Sequence, residues 1–389
     1  MLDKNSVAKL VAAGFSPRYY IDALCADNAS FSCDDYHDEL FLNAMREAFS
    51  FHYNHLPAYK NYCDLIGFTP KDLKIYDDLI KMPFIFVNVF KERKLLTIKD
   101  RDVQMTITSS GTGGKKSYMY LDNVSLRRII KIIYNIYDGF GMFNRSQKVN
   151  YLCFTYDPLY AKDVGTAFSD KLLASLTLTN KIYYALEFDV SANDFKLDKE
   201  KTINILRGYE KENIPLRILG FPAFLYEIIK EIKTSRQKPF RFSPESFVLT
   251  GGGWKTRGDE EIQKDKFRAE VEECFGIPKE NVRDLYGLVE HGVPYSECEA
   301  GNMHTSIYSR VFIRDPETLK VLNEGETGLI QLQTPYINTI PAISVLTSDL
   351  GSLHYNCPCG RQTPTLKLAG RGGVRKHKGC AITALDVLK

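Results

Sequence analysis

TITSSGTGGKKSYMYLD, residues 106–122, joins a strand-like run to a loop of Ser, Thr and Gly that ends in two lysines. Glycines let backbone N–H groups approach a bound anion, hydroxyl groups donate hydrogen bonds, and a lysine supplies positive charge. The segment therefore has the composition of a loop that wraps polyphosphate. Its candidate phosphate ligands are Ser109, Ser110, Gly111, Thr112, Gly113, Lys115 and Lys116.

This loop differs from the phosphate-binding loop of P-loop ATPases. That motif requires Gly where Ser109 stands, and Ser or Thr where Lys116 follows Lys115. The sequence therefore excludes the P-loop ATPase class. Taken alone, the segment also agrees with an ordinary Gly/Ser turn between two elements, so its function has to be argued from the rest of the chain.

Strand-like and helix-like runs alternate downstream of the loop. KVNYLCFTY at 148–156 and KIYYALEFDV at 181–190 have strand patterns, and LRILGF at 216–221 precedes the helix-like run at 223–233. This alternation predicts α/β layers with a mostly parallel sheet over about residues 101–300.

The two ends of the chain have a different texture. Helix formers and aromatics dominate about residues 1–100 and predict a helical lobe. SIYSRVFIRD at 306–315 and LIQLQTP at 329–335 flank the turn NEGETG, which predicts antiparallel strands in a small β-rich lobe over about residues 301–370.

Composition and charge narrow the class of protein. The chain has 389 residues, of which 44% are hydrophobic and 25% charged, as in ordinary globular proteins. Lys plus Arg number 51 and Asp plus Glu number 48, dispersed along the chain, so no nucleic-acid partner is predicted. The N-terminus lacks a secretory apolar region, and the most apolar helix candidate, 129–143, is too short to span a bilayer. We expect a cytoplasmic protein without an integral membrane segment.

Four further segments follow the loop: TGGGWK at 250–255, DLYGLVEHG at 284–292, TSDLG at 347–351 and LAGRGGVRKHKG at 368–379. In order and approximate spacing, the five segments resemble the successive signatures of adenylate-forming enzymes. Within that superfamily the chain resembles the LuxE-type acyl-protein synthetases of bacterial fatty-acid reductase, with phenylacetate–CoA ligases as nearer cousins than acetyl-CoA synthetases. MPFIFVNVFKERKLL, CPCGRQTP and the ending GGVRKHKGCAITALDVLK carry this closer likeness.

The resemblance implies a fold and a site. The fold is the large N-terminal domain of adenylate-forming enzymes over residues 1–370, with layered α/β sheets and a β-rich lobe, and a hinge remnant and tail at 371–389. The implied site binds ATP with Mg²⁺. Its residues are Gly251, Gly252 and Gly253 at the adenine, Tyr286 stacked on it with Gly287 in the same nucleotide-binding segment, Glu290 at Mg²⁺, Asp349 at the ribose hydroxyls, and Arg371 near the ribose and hinge.

Each of these residues also has a simpler interpretation. Tyr286 and Trp254 agree with core aromatics, Asp349 with the start of a turn, and Glu290 with a helix cap or a solvent-exposed carboxylate. The joint order of the segments, and not any single residue, favours the nucleotide site.

One departure from the wider superfamily concerns its mobile C-terminal domain of roughly a hundred residues. This chain ends ten residues after Gly379, so we expect that domain to be absent or vestigial, together with the lid lysine that assists adenylation. Lys115, Lys116, Lys376 or Lys378, or a partner protein, then has to supply that charge.

Four sulfur and imidazole ligands form a second candidate site, namely Cys298, His304, Cys357 and Cys359. Three thiolates and an imidazole suit tetrahedral Zn²⁺, although Cys-Pro-Cys-Gly also agrees with a tight turn. Cysteines 25, 33, 63, 153 and 274 lack paired spacing, and we expect them to be small buried hydrophobic residues.

Cys380 is the predicted acyl acceptor. It follows Arg375, Lys376, His377 and Lys378, and neighbouring cations lower the pKa of a thiol and raise its reactive thiolate fraction. The resembling synthetases likewise carry an acylated cysteine close to the C-terminus. With Glu290 and Lys115, Cys380 completes the predicted catalytic set.

Three functions remain open from the sequence. The first is an acyl-protein synthetase that passes a fatty acyl group from acyl-AMP to its own cysteine and then to an acyl reductase in a hetero-oligomeric complex. The second is an acyl-CoA ligase that uses free CoA, which the short C-terminus disfavours. The third is a non-catalytic scaffold of a reductase complex, which intact Glu290 and Asp349 disfavour.

Overall fold

The structure is a computed structural model that describes residues 19–109, 116–142, 146–156, 172–189, 194–254 and 261–371. Its strands are β1 Ile85–Phe86, β2 Met105–Thr108, β3 Tyr118–Leu121, β4 Lys148–Tyr156, β5 Leu178–Asp189, β6 Asp194–Leu197, β7 Leu216–Gly220, β8 Phe247–Gly251, β9 Val282–Tyr286, β10 Tyr295–Ser296, β11 Met303–His304, β12 Arg310–Arg314, β13 Gly328–Gln333, β14 Ser344–His354 and β15 Thr365–Arg371.

The α-helices of the described residues occupy both halves of the chain. They are α1 Tyr20–Ala26, α2 Asp35–His55, α3 Pro57–Ile66, α4 Val89–Glu92, α5 Asn123–Gly139, α6 Lys199–Glu212, α7 Pro222–Thr234 and α8 Lys264–Phe275. Short 3₁₀ helices cover Tyr76–Lys81, Asp100–Asp102 and Lys279–Asn281.

The chain forms two compact units that interleave in sequence. Apart from the gaps given above, the first unit holds residues 141–286 and 296–301, and the second holds 19–140, 287–295 and 302–371. The sequence predicted lobes that follow one another along the chain, at about residues 1–100, 101–300 and 301–370, and these boundaries stay a prediction.

A mostly parallel sheet forms the first unit, in the order β10-β9-β8-β7-β4-β5-β6. Strands β9, β8, β7, β4 and β5 run parallel, and β6 pairs antiparallel with β5. The parallel α/β arrangement predicted from the strand and helix alternation is therefore confirmed.

The core of this unit forms where helices α6, α7 and α8 contribute apolar residues beside the buried strands. Leu152 and Ile218 on the sheet share one cluster with Ile228 on α7 and Val271 on α8. β4 is buried along nearly its whole length, as expected for a strand covered on both faces. Fully burying such a side chain contributes roughly 1.5–3 kcal/mol, so the cluster holds the strand ends in place.

The second unit contains an antiparallel sheet in the order β11-β15-β14-β13-β12. β12 and β13 pair antiparallel, which confirms the strands predicted on either side of the NEGETG turn. β1 adds to β14 in parallel, and β2 and β3 form a separate hairpin. These pairings position the segments that precede α4 and that flank the Ser/Thr/Gly loop.

Two helices of the second unit, α2 and α5, begin at side-chain caps. Asp34 accepts a hydrogen bond from His37 N at the start of α2, and Asp122 accepts one from Ser125 N at 2.7 Å at the start of α5. α5 is largely buried and includes Arg128, whose Nε lies 2.7 Å from Asp22 Oδ1. Within the described ranges, no helix is both long and apolar enough to cross a membrane.

The isolated cysteines follow the sequence expectation with one correction. Cys25, Cys63, Cys153 and Cys274 are buried, but Cys33 is exposed. It precedes the cap residue of α2, where the chain enters the helix at the surface, so the expectation of burial was wrong for this residue.

Candidate functional site

The base of the Ser/Thr/Gly loop is closed by the ends of the β2–β3 hairpin. Ser109 N donates to Ser117 O at 3.1 Å, and Ser117 N donates to the Ser109 hydroxyl at 3.0 Å. The Ser109 hydroxyl accepts here, and a hydroxyl that accepts one hydrogen bond can also donate its own hydrogen to a ligand. Lys116 is exposed at the edge of the loop. The predicted ligands Ser110, Gly111, Thr112, Gly113 and Lys115 lie outside the described residues.

Glu290 is a buried carboxylate of the second unit, with 3% of its surface exposed. It lies in a tight turn in which Gly292 N donates to Leu288 O at 2.8 Å. Gly292 has φ +78°, and a Cβ there would lie 2.1 Å from the Tyr336 hydroxyl and 3.0 Å from Met119 Cε. The turn is therefore packed closely against β3, two residues beyond Ser117.

Electrostatics distinguish this carboxylate from an ordinary surface glutamate. Burial raises the pKa of Glu290, and the Asp349 carboxylate adds to the increase, while Ser117 and Lys91 act in the opposite direction. A divalent cation at this carboxylate would favour its charged form, because a bound metal ion is the largest local charge in such a site. The simpler interpretation of Glu290 as a solvent-exposed carboxylate does not apply, because its side chain is buried.

Lys91 is a candidate residue that the sequence argument missed. β1 pairs with Val345 and Leu346 of β14, and Val87 N donates to Leu346 O at 2.9 Å, so α4 begins beside the strand that leads to Asp349. Lys91 lies on α4, is exposed, and forms no ion pair with any residue that the structure describes. The sequence feature that could have identified Lys91 is the cationic run KERK at 91–94, which lies in a segment used only for the family resemblance.

Asp349 and Arg371 are brought together, as the resemblance implied for residues near a ribose. They are register partners on β14 and β15, and Arg371 Nε lies 3.5 Å from Asp349 Oδ1. The Arg371 side chain is 82% exposed, so this ion pair contributes little stability and can rearrange around a ligand. Asp349 N donates to Thr347 Oγ1 at 3.1 Å, which shapes the strand at the carboxylate.

In the first unit, the predicted adenine residues lie at the carboxyl ends of neighbouring parallel strands. Gly251 at the end of β8 is the register partner of Leu285, next to Tyr286 on β9. A Cβ on Gly251 would lie 3.3 Å from Leu285 O, and Gly252 and Gly253 have φ of +75° and +65°. Ligands of open α/β sheets bind at this edge. Glycine here keeps the chain close to the neighbouring strand.

Two aromatic side chains that flank predicted site residues in the sequence have structural roles. Trp254, after the three glycines, is 9% exposed and packs edge to face with Tyr226 and Phe267, which is the core interpretation. His291, beside Glu290, is fully buried, and its Nε2 lies 2.9 Å from the Tyr295 hydroxyl. Burial lowers the pKa of His291 to about 3, so it is neutral.

Three of the four predicted metal ligands come together in the second unit. The Nε2 atom of His304 lies 3.2 Å from Cys359 Sγ, and the ligand atoms of these two residues and Cys357 lie within 4.8 Å of one another. His304 Nδ1 lies 3.0 Å from Thr363 Oγ1 and 3.1 Å from its carbonyl. Donation to that carbonyl leaves Nε2 with a lone pair for a metal ion.

The turn that carries the two thiols is held by backbone and side-chain hydrogen bonds. Gly360 N donates to Cys357 O at 3.1 Å, with Gly360 at φ +83°. Asn302 Nδ2 donates to Cys357 Sγ at 3.3 Å, which orients the sulfur atom. Cys298, the fourth predicted ligand, is buried and belongs to the first unit, and its role stays a prediction.

Similarity to known proteins agrees with this picture. The model of the family described as "Acyl-protein synthetase, LuxE" matches residues 17–388. The long-chain-fatty-acid–luciferin-component ligase of Aliivibrio fischeri is 29% identical over 355 residues, covering 89% of this chain and 88% of its own. The ligase of the same name from Vibrio harveyi is 25% identical, over 89% and 87% of the two chains.

A solved structure shows the same fold. An open conformation of 2-hydroxyisobutyryl-CoA ligase, in complex with an acyl-AMP and CoA, superimposes with a TM-score of 0.67 at 14% sequence identity. The match covers 90% of this chain and 79% of that one.

Proposed function

The chain belongs to the acyl-protein synthetase family LuxE and is an acyl-activating ligase, and we propose that its substrates are a long-chain fatty acid and Mg·ATP. A carboxylate oxygen of the fatty acid attacks the α-phosphorus of ATP, the bond from that phosphorus to the bridging oxygen breaks, and pyrophosphate leaves with its negative charge. The product is an acyl-adenylate. Support comes from the names of the Aliivibrio and Vibrio relatives, which are long-chain-fatty-acid ligases.

The observation that carries the proposal is the buried Glu290 beside the closed base of the phosphate loop. In this proposal Glu290 holds Mg²⁺, a hard cation that prefers carboxylate oxygen, and Ser109 and Lys116 bind phosphate oxygens together with the predicted loop residues. Lys91 supplies positive charge to the leaving pyrophosphate, a task for which the sequence offered other lysines or a partner protein. Such a reaction depends on positioning and charge neutralisation by these groups.

The remaining nucleotide contacts come from the residues at the strand ends. Tyr286 offers a flat ring to adenine and Gly251–Gly253 offer backbone without side chains, while Asp349 accepts hydrogen bonds from the ribose hydroxyls and Arg371 lies nearby. Each role is assigned residue by residue from the family resemblance, and the register partners of the strands support it.

The second half of the proposal is transfer of the acyl group to Cys380, which lies outside the described residues. The thiolate attacks the acyl carbonyl carbon of the adenylate, a thioester bond forms, and AMP leaves. An acyl reductase of a hetero-oligomeric complex then accepts the acyl group. We place this chemistry in the cytoplasm, because a reducing compartment keeps Cys380 and the clustered thiols of Cys357 and Cys359 reduced.

One labelling experiment tests both steps. With radiolabelled long-chain fatty acid and Mg·ATP, the wild-type protein is expected to exchange pyrophosphate into ATP and to acquire hydroxylamine-labile label. Cys380→Ser is expected to retain exchange and acquire no label, because serine cannot form the thioester. Absence of exchange with every acid from acetate to palmitate would refute the enzymatic proposal. Exchange with label on the serine variant, or product formed only with added CoA, would favour the acyl-CoA ligase alternative.

We further propose a structural Zn²⁺ at His304, Cys357 and Cys359, with Cys298 as the fourth ligand. The support is the close approach of His304 Nε2 to Cys359 Sγ and the hydrogen bonds that orient both partners. Elemental analysis is expected to give about one zinc per chain. Cys359→Ser is expected to lower the zinc content and the melting temperature together, whereas Cys33→Ser, at an exposed thiol, should change neither. A zinc-free, equally stable wild type would contradict this assignment.

A further inference from the structure

Two carboxylates and two cations cluster along β9, inside the first unit. They are Asp284 on β9, Glu297 on the segment 296–301, and Lys264 and Arg268 on α8. Glu297 is 2% exposed, so its charge is removed from water. The adenylation chemistry described above uses none of these side chains, although the cluster lies two residues from Tyr286.

Glu297 contacts the backbone of β9 from both sides of one residue. Its Oε2 accepts from Asp284 N at 2.8 Å, and its own backbone N–H donates to Asp284 O at 3.1 Å. Both backbone polar groups of Asp284 are thus satisfied by a single residue. The Glu297 carboxylate accepts the hydrogen bond from Asp284 N that the backbone carbonyl of a neighbouring strand would otherwise accept. Such a replacement is needed because buried backbone N–H groups require hydrogen-bond partners.

The cations fix Glu297 in that position. Lys264 Nζ lies 2.6 Å from Glu297 Oε1, and Arg268 Nη2 lies 2.7 Å from Glu297 Oε2. Arg268 Nε also donates to Val282 O at 3.2 Å, so the same guanidinium holds the start of β9. The carboxylate therefore cannot rotate away without breaking several charge-assisted hydrogen bonds.

The Asp284 side chain extends this restraint toward Tyr286. Its Oδ1 accepts from Leu285 N at 2.9 Å, and its Oδ2 lies 3.0 Å from Lys264 Nζ. Burial raises the pKa of Asp284, and Lys264 opposes that increase. Arg268 of α8 thus holds the backbone of Val282 and Glu297 holds that of Asp284, while the Asp284 side chain, paired with Lys264, holds Leu285 N.

We propose that Glu297 is a positioning residue for the adenine nucleotide: it fixes the carboxyl end of β9 and thereby the ring of Tyr286. The inference rests on the proposed function, which places Tyr286 against adenine. A rigid aromatic ring stacks on a base with less loss of freedom on binding than a mobile one, so the effect falls on nucleotide affinity. A buried ion network does not by itself show that the network stabilises the protein, so a role in positioning Tyr286 is an alternative explanation for this one.

The test compares Glu297→Gln with Glu212→Gln. Glu212 also accepts hydrogen bonds from a lysine and an amide, Lys181 and Asn150, but these lie at the other end of β4 and β5 from the nucleotide edge. In pyrophosphate exchange, Glu297→Gln is expected to raise the KM for ATP about tenfold, with the KM for fatty acid within about twofold of wild type. Glu212→Gln is expected to change neither constant.

A second measurement does not depend on catalysis. Amide hydrogen exchange of residues 282–286 is expected to accelerate in Glu297→Gln and to stay at the wild-type rate in Glu212→Gln, because only the first variant weakens the bond to Asp284 N. If Glu297→Gln fails to fold, Gly301→Ala replaces it. A Cβ at Gly301 would lie 2.7 Å from Arg268 Nη1 and displace the guanidinium, which should give a smaller change in the same direction.

The outcomes are separable. Wild-type protein without pyrophosphate exchange would refute the proposed function, and Mg·ATP affinity measured by calorimetry then decides the role of Glu297. The positioning role is supported if Glu297→Gln binds Mg·ATP more weakly and the amide hydrogens of residues 282–286 exchange faster than in the wild type. An unchanged ATP affinity, a wild type that binds no ATP, or equal effects of the two glutamine variants would overturn it.

Discussion

Buried carboxylates are treated differently in the two units. In the first unit, Glu297 has a lysine, an arginine and a backbone amide within 2.8 Å. In the second unit, Glu290 is equally buried, yet it forms no ion pair with any residue in the described ranges. Glu290 has Ser117 as a hydrogen-bond partner, but a buried charge that lacks an ion-pair partner among the described residues is unfavourable, so we expect a bound cation to stabilise it. The comparison distinguishes Glu297, whose ion pairs hold the protein backbone, from Glu290, for which we propose a bound cation.

The largest expected effect follows from removing the charge of Glu290. Glu290→Gln is expected to lower the rate of pyrophosphate exchange on the order of 100-fold, equivalent to about 3 kcal/mol, because a neutral amide is a poor ligand for Mg²⁺. Steady-state exchange over a range of Mg²⁺ concentrations measures this. A variant with wild-type exchange would remove Glu290 from the catalytic proposal and with it the contrast between the two units.

The second prediction compares stabilities, and the two units should respond with opposite signs. Arg268→Met leaves the buried Glu297 with one cation fewer and is expected to reduce the free energy of unfolding by about 2 to 3 kcal/mol. Glu290→Gln removes a buried charge that forms no ion pair with the described residues, and it is expected to raise the melting temperature at neutral pH. Lys279→Met, which breaks an exposed pair with Glu272, is the control and should change stability by less than about 1 kcal/mol.

The pH dependence of that gain in Glu290→Gln follows from the raised pKa of Glu290. Since the folded-state pKa lies above the unfolded one, the folded protein favours the protonated carboxyl. The contribution of Glu290 to stability is therefore fully present below the unfolded pKa and is lost as the pH rises through the folded pKa. The melting temperature of Glu290→Gln should accordingly exceed that of the wild type by more at pH 8 than at pH 5. A difference independent of pH would contradict this account.

The smallest effect concerns Lys91. Lys91→Met is expected to slow pyrophosphate exchange about tenfold and Lys91→Arg to restore most of the rate, because a flexible exposed cation contributes about 1.4 kcal/mol at most. Lys94→Met is the matched control, three residues further on. Lys94 is paired with Asp100 at 2.7 Å, so its loss should leave exchange unchanged. Equal losses in Lys91→Met and Lys94→Met would indicate a general effect of surface charge.

The strand and helix pattern of the first unit was predictable, because apolar periodicity reports burial directly: the parallel order and the glycines at the end of β8 agree with it. The antiparallel pairing of β12 with β13 was predictable for the same reason. The exposure of Cys33 was not, since a single cysteine carries no periodic signal and its environment is set by the turn into α2.

By itself, the sequence determined the order of the motifs, and thereby the family, the fold class and the residue types of a nucleotide site. Only the tertiary structure decided which charges are paired. Lys91 and Asp349 are 258 positions apart in the sequence and become neighbours of one carboxylate through the pairing of β1 with β14. Burial, and with it the raised pKa of Glu290, is a property of everything packed around a group. A residue's own letter and its local pattern carry no record of those distant neighbours.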